Sequence, residues 1–197
     1  MAGGFTEEQR NRIRKKLLET GVDLSTTIGF RKMTVASVAK EAGVSVGSFY
    51  NFFSSKESFA VAMIKELEDR SFADFVGKRN GKSTVPVREF LDWHREYFRP
   101  ETNFLLRLTL EDMIWLKTHI GAGVHFENEP DMERIKKIIP YITGIRTDFS
   151  PGVVVNFIKS IYTAYQSRDT FFEDDLQTNV DLIFDAIYCY VRDEGES

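Results

Sequence analysis

The chain has 197 residues, 42% hydrophobic and 28% charged, enough for one domain or for a small head on a larger body with a real core. Twenty-six Lys and Arg against thirty Asp and Glu leave a net charge of −4, and a single cysteine, Cys189, excludes an intrachain disulfide and a Cys-based zinc site. No apolar run approaches the roughly 20 residues of a membrane span, and Phe5-Thr6-Glu7-Glu8-Gln9-Arg10 is too polar for a signal-peptide core, so no membrane partner and a reducing cytoplasm are expected.

A first helix is expected from about Thr6 to Thr27. Thr6-x-x-Gln9 fits a capping box, and Ile13, Leu17, Val22 and Leu24, flanked by Leu18 and Gly21, form an imperfect apolar face. The basic run from Arg10 to Lys16 reads equally as a solvated face or as a contact with phosphates. Residues 1–60 hold nine Lys and Arg and six Asp and Glu, so this third carries +3 and the remainder −7. A basic head on an acidic body suits a polyanionic partner, although so small an excess is common in small helical heads.

Between about residues 33 and 52 the pattern is helix, tight turn, short helix. Thr34 suits an N-cap, and Val35, Val38, Ala39 and Ala42 recur at helical spacing. Gly43 stops that helix by entering the left-handed region, which side chains disfavour. Ser45 caps the next helix, whose Phe49, Phe52 and Phe53 point to a core while Val46, Gly47 and Ser48 are left at its N-terminal end. This is a helix-turn-helix, and the major groove of DNA admits one α-helix, entered by its N-terminal residues.

Ala39-x-x-Ala42-Gly43-Val44-Ser45-x-Gly47-Ser48-Phe49-Tyr50-x-x-Phe53-x-Ser55-Lys56-Glu57, preceded by Gly29-Phe30-x-x-Met33-Thr34-Val35, resembles the DNA-binding segment of the TetR/AcrR family of transcriptional regulators. The likeness covers about residues 6–66. It implies an all-α protein of about nine helices, with a three-helix DNA-binding head at 6–66 and a helical effector-binding and dimerisation body at 67–197. By the same resemblance Thr34, Tyr50 and Lys56 take phosphates, with the dipole of the helix that Ser55 caps adding to the contact. Ser37, Ser45, Val46, Gly47, Ser48 and Asn51 are the remaining candidates at the DNA. Val46 and Phe52 are apolar where many relatives are polar, which leaves more of the readout to DNA shape.

A fourth helix should run from Lys56 to about Val76, with Phe59, Met63, Ile64 and Leu67 inward, and Gly77 to Pro86 reads as a loop. A fifth is expected over Val87–Phe98 and a sixth over about Thr102–His119, apolar almost all round and so central to the body. Glu111 and Asp112 stand out in it. An i,i+4 pair of Arg107 with Glu111 explains them most simply, and a carboxylate facing a pocket is the sharper alternative. His119, His125, Glu127 and Glu129 lack the spacing of a metal set, so no metal is expected and no cofactor. A short helix from Pro130 to about Ile139 follows. Ser150-Pro151 then opens a helix to about Gln166, and a last helix carries Leu176, Val180, Ile183, Phe184, Ile187, Tyr188 and Val191.

Trp93, Tyr97, Phe98, Glu111, Met113, Trp115 and Tyr162 are candidate lining for an effector pocket. Phe157, Ile161, Tyr165, Val180, Ile183, Phe184 and Ile187 are candidates for a homodimer interface, by the surplus apolar face of the two closing helices and by the resemblance. The expected function is a dimeric, ligand-responsive regulator, most often a repressor in this family, released from a palindromic double-stranded DNA operator by a small, largely apolar effector. The other reading is a helical adaptor that uses the same fold to bind a partner protein without an inducer. No glycine-rich phosphate loop, nucleophile elbow or paired metal motif points to an enzyme.

Overall fold

The computed structural model describes residues 6–120 and 128–193. Nine α-helices are present among them: α1 Glu7–Thr27, α2 Val35–Glu41, α3 Val46–Tyr50, α4 Lys56–Lys78, α5 Val87–Tyr97, α6 Leu110–Ile120, α7 Asn128–Ile138, α8 Pro151–Gln166 and α9 Leu176–Val191. Two two-residue strands, β1 Val85–Pro86 and β2 Ile142–Thr143, pair in parallel and tie the start of α5 to the segment after α7. No described helix is long and apolar enough to cross a membrane.

The head helices start where the sequence places hydroxyls. Thr6, Thr34, Ser45 and Ser55 each accept a backbone N–H from the residue three positions on, which satisfies a donor that the first turn leaves unpaired. Gly43 turns the chain between α2 and α3 at φ +70°. Phe49, Phe53 and Phe59 then meet ring to ring, with centroids 4.8–5.4 Å apart, under the helix-turn-helix. Gly21 lets α1 approach α4 so closely that a Cβ there would lie 2.5 Å from the Phe59 ring.

The sixth helix departs from the expected single span. A short 3-10 turn, Phe104–Arg107, comes first, Leu108 is extended, and α6 begins only at Leu110. Two sets of side-chain hydrogen bonds make the break. The Asn103 side-chain oxygen Oδ1 accepts the Leu105 N–H, and Thr109 and Asp112 exchange hydrogen bonds as a reciprocal cap. Both are local competitors of helix backbone bonding, which an all-round apolar pattern does not reveal.

Two clusters make the interior. The first joins α1 to α4 with Phe104, Leu105, Leu108, Met113 and Leu116, so the head shares its core with the 3-10 turn and α6. The second gathers α5, α8 and α9 around Leu91, Phe98, Ile161 and Phe184. Ile161, Tyr165, Val180, Phe184 and Ile187, expected between two protomers, are buried inside the one chain. A helical stripe facing its own body and one facing a second copy have the same periodicity, and here most of the stripe is consumed by packing α8 and α9 against α5. The outward remainder includes Leu182, 60% exposed, with Ala186 and Cys189 beside it and Ile183 and Phe157 half-buried.

Candidate nucleic-acid interface

The outer end of α3 is built by its cap. Ser45 Oγ accepts the Ser48 N–H at 3.0 Å and lies 2.9 Å from Ser48 Oγ, so both hydroxyls are held at the helix start. Val46 is 43% exposed and Tyr50 52%, while Phe49 between them is fully buried. The Tyr50 ring packs edge-on against Phe49, with centroids 5.6 Å apart, which fixes an exposed phenol on a rigid arm. A Cβ at Gly47 would meet only Ser45 Oγ, at 3.8 Å, so the chain itself leaves the space over this residue open. Asn51 is exposed at the end of α3.

Thr34 and Ser37 sit at the start of α2 and exchange hydrogen bonds of 3.0 Å in each direction, Thr34 Oγ1 accepting the Ser37 N–H and Ser37 Oγ the Thr34 N–H. Half-buried Phe52 is covered by the Arg10 guanidinium, 5.2 Å from the ring centroid, and Arg14 lies over Phe53. The basic run of α1 thereby reaches the head's aromatic edge, a cation–π arrangement that neither sequence reading of that run contained.

Lys56 is placed differently from the other candidates. It is half-buried, its ammonium donates to the Arg31 carbonyl at 3.3 Å, and it lies 4.5 Å from the Trp115 ring centroid. Burial lowers its pKa below the usual lysine range, against the opposing pull of Glu57 and Asp112. The side chain is thus engaged at the junction where α6 meets the turn between α1 and α2.

That junction was not legible as a site. Asp112, 3% exposed, accepts the Arg31 backbone N–H at 3.0 Å and the Thr109 hydroxyl at 2.8 Å. Glu111 pairs with the Arg31 guanidinium, not with Arg107. Gly29, at φ +85°, passes directly under Asp112; a Cβ there would stand 3.5 Å from both carboxylate oxygens. Phe30 packs on Trp115, and His119 stacks on the same indole at 4.4 Å. His125, Glu127 and the side chain of Glu129 lie outside the described residues.

The candidate pocket residues do not converge on one cavity. Met113 belongs to the core shared with the head, Trp115 and Glu111 to the junction. Tyr97 donates its phenol to the Leu67 carbonyl, Tyr162 accepts from Asn103 at 3.0 Å, and Phe98 packs between Tyr162 and Phe184. Trp93 lines a cleft beside Phe75 and Phe90. A second cleft, between α1 and α4, is floored by Leu18, Met63 and Phe104 and contains none of them.

Residues 17–63 match the sequence model of the bacterial regulatory proteins, tetR family. The HTH-type transcriptional repressor NemR of Escherichia coli is 46% identical over 52 residues, 26% of this chain and 26% of NemR. The match therefore spans about a quarter of that relative's length. An HTH-type regulator of Bacillus subtilis, YdgC, is 25% identical over 148 residues, 64% of this chain and 74% of YdgC. Among solved structures, a TetR transcriptional regulator from Rhodococcus sp. superposes with a TM-score of 0.56 at 22% identity, covering 93% of this chain and 98% of that one. At that identity the likeness is one of fold.

Proposed function

We propose that the chain is a dimeric DNA-binding transcriptional regulator of the tetR family that a small molecule releases from its operator, a reading supported by the match of residues 17–63 to that family's model and by the 46% identity to NemR over 52 residues. The observation that carries this is the hydroxyl-capped start of α3, where Val46, Gly47 and Tyr50 project from a head whose aromatic core fixes their direction. Such an end fits the major groove, with backbone N–H groups and hydroxyls available to phosphates. A repressor role is supported by the name of NemR, the relative with 46% identity.

The outward face of α9 at Leu182, Ala186 and Cys189 supports pairing with a second copy, which sets the two α3 helices into successive major grooves roughly 34–36 Å apart. Release follows if the effector binds more tightly to an arrangement in which this spacing is wrong, and DNA then weakens effector binding by the same factor. The parts that carry the change are α4, which runs from the head into the body, and α6, whose Asp112 grips the turn before α2.

The test is fluorescence anisotropy of the purified protein on its own upstream intergenic DNA against a scrambled duplex, across a salt series. Tight binding that depends on a palindrome is the expected result. Equal, weak and salt-sensitive binding to both duplexes would count against a specific regulator and in favour of an adaptor.

A further inference from the structure

The last turn of α4 and the first turns of α5 enclose a cleft of about 210 Å³ with a floor of Phe75, Val85, Phe90 and Trp93. The three rings contact one another: Phe75 meets Phe90 edge-on at 5.4 Å, and Trp93 lies 5.5 Å from Phe75 and 6.0 Å from Phe90. Two cations stand on the rim. Lys78 Nζ is 5.4 Å from the Trp93 ring centroid, and the Arg79 guanidinium is 5.9 Å from that of Phe75 and 4.4 Å from that of Tyr141. Neither cation has an ion-pair partner within 4 Å among the described residues, whereas Glu89, the acid on this cleft, is met by Lys82 at 3.7 Å. Behind Phe90 the wall is His94, stacked on that ring at 5.4 Å and held neutral by burial.

We propose that this cleft binds a planar aromatic carboxylate, its ring on Phe75, Phe90 and Trp93 and its carboxylate between Lys78 and Arg79. Three rings in edge-on and tilted contact favour a flat π-system over an aliphatic chain of equal area. The two cations repel a cationic ligand and attract an anionic one, and their positions over ring faces are already set. The bound molecule is then the effector, a consequence that rests on the regulator reading. The cleft lies at one end of α4 and Lys56 at the other, roughly 30 Å away along a continuous helix, so a ligand wedged at Phe75 acts on the rod that reaches the head.

The experiment is isothermal titration of the full chain with 2-naphthoate and with its uncharged analogue 2-naphthamide. Wild type, Lys78→Gln/Arg79→Gln and the control Lys15→Gln, a cation of the other cleft, are compared. The expected result is one saturable site per chain that prefers naphthoate by about tenfold. The double variant loses that preference, keeps its affinity for naphthamide, and the control changes neither. Lys78 is exposed and Arg79 half-buried, so an unaltered circular dichroism spectrum is expected of the double variant. Absent binding, equal affinity for the two probes, or a preference that survives in the double variant overturns the site. Operator anisotropy on the same sample separates the two readings. Failure to bind operator without probe overturns the regulator reading and leaves the titration to decide the cleft, while naphthoate binding that leaves operator affinity unmoved overturns the effector role.

Discussion

The Asp112 carboxylate accepts the Arg31 backbone N–H at 3.0 Å across 81 positions of sequence, binding α6 to the turn that leads into the helix-turn-helix. The same carboxylate caps α6 through Thr109. Removing it takes the acceptor from the Arg31 amide and the Thr109 hydroxyl, but both residues are exposed, so water replaces part of what is lost. Asp112→Ala should lose about 1–2 kcal/mol in urea unfolding, and Asp112→Asn, which keeps one acceptor oxygen, should lose less. Equal midpoints for wild type and the Ala variant would show that the tie carries no load.

Gly21→Ala should destabilise the head by about 1–3 kcal/mol, because the added methyl would sit 2.5 Å from the Phe59 ring and 2.9 Å from Met63 Sδ. Phe59 is wedged against Phe49 and Phe53 and has no room to retreat. A second change, Phe59→Leu, should restore part of the loss in a double-mutant cycle; strict additivity would place the strain elsewhere.

His94 predicts a pH effect of known sign. Burial, then the charge of Arg134, lowers its pKa from 6.5 to about 4. The unfolded chain therefore binds the proton first, and the contribution of neutral His94 is fully present above pH 6.5 and lost as pH falls from 6.5 to 4, about 3 kcal/mol in all. His94→Phe keeps a ring between Phe90 and Tyr97 and should flatten the stability profile in that window. A profile as steep as wild type would assign the acid sensitivity to the carboxylates.

Tyr50 and Lys56 should separate in DNA binding. Tyr50→Phe removes an exposed phenol and should weaken affinity on operator and scrambled DNA alike. Lys56→Met, whose ammonium is engaged by the Arg31 carbonyl and the Trp115 face, should lower stability by about 1 kcal/mol. Its slope of log affinity against log salt should change by less than one phosphate's worth. A full unit of slope lost in the Lys56 variant would return that side chain to the DNA.

Leu182→Glu should keep the helical spectrum and sediment as a monomer, since the side chain is 60% exposed in the single chain. Ile187→Glu, five residues on, buries a charge in the core and should unfold the body. A dimeric Leu182→Glu protein would remove the outward face of α9 from the interface.

Short-range chemistry was the readable part. Thr6, Thr34, Ser45 and Ser55 act on donors three residues away, so the caps and the order of helices follow from local sequence. The split before α6 was written in Thr109-x-x-Asp112 but was outvoted by a continuous apolar pattern. Contacts between distant segments had no such signature: nothing near Arg31 announces Asp112, and nothing near Lys56 announces Trp115. For α8 and α9, periodicity told that Ile161 and Phe184 face something apolar without telling whose surface it was.

The core shared by the head and α6 limits how freely this head can be exchanged. Leu105, Leu108, Met113 and Leu116 pack with the residues that hold α1 to α4 in place. A chimera that grafts residues 6–66 onto another body inherits a floor shaped for different side chains, with Arg31 and Lys56 facing foreign partners. The transplantable unit is the head together with the segment from Asn103 to His119, and a graft that carries both should keep its operator while taking its responsiveness from the new host.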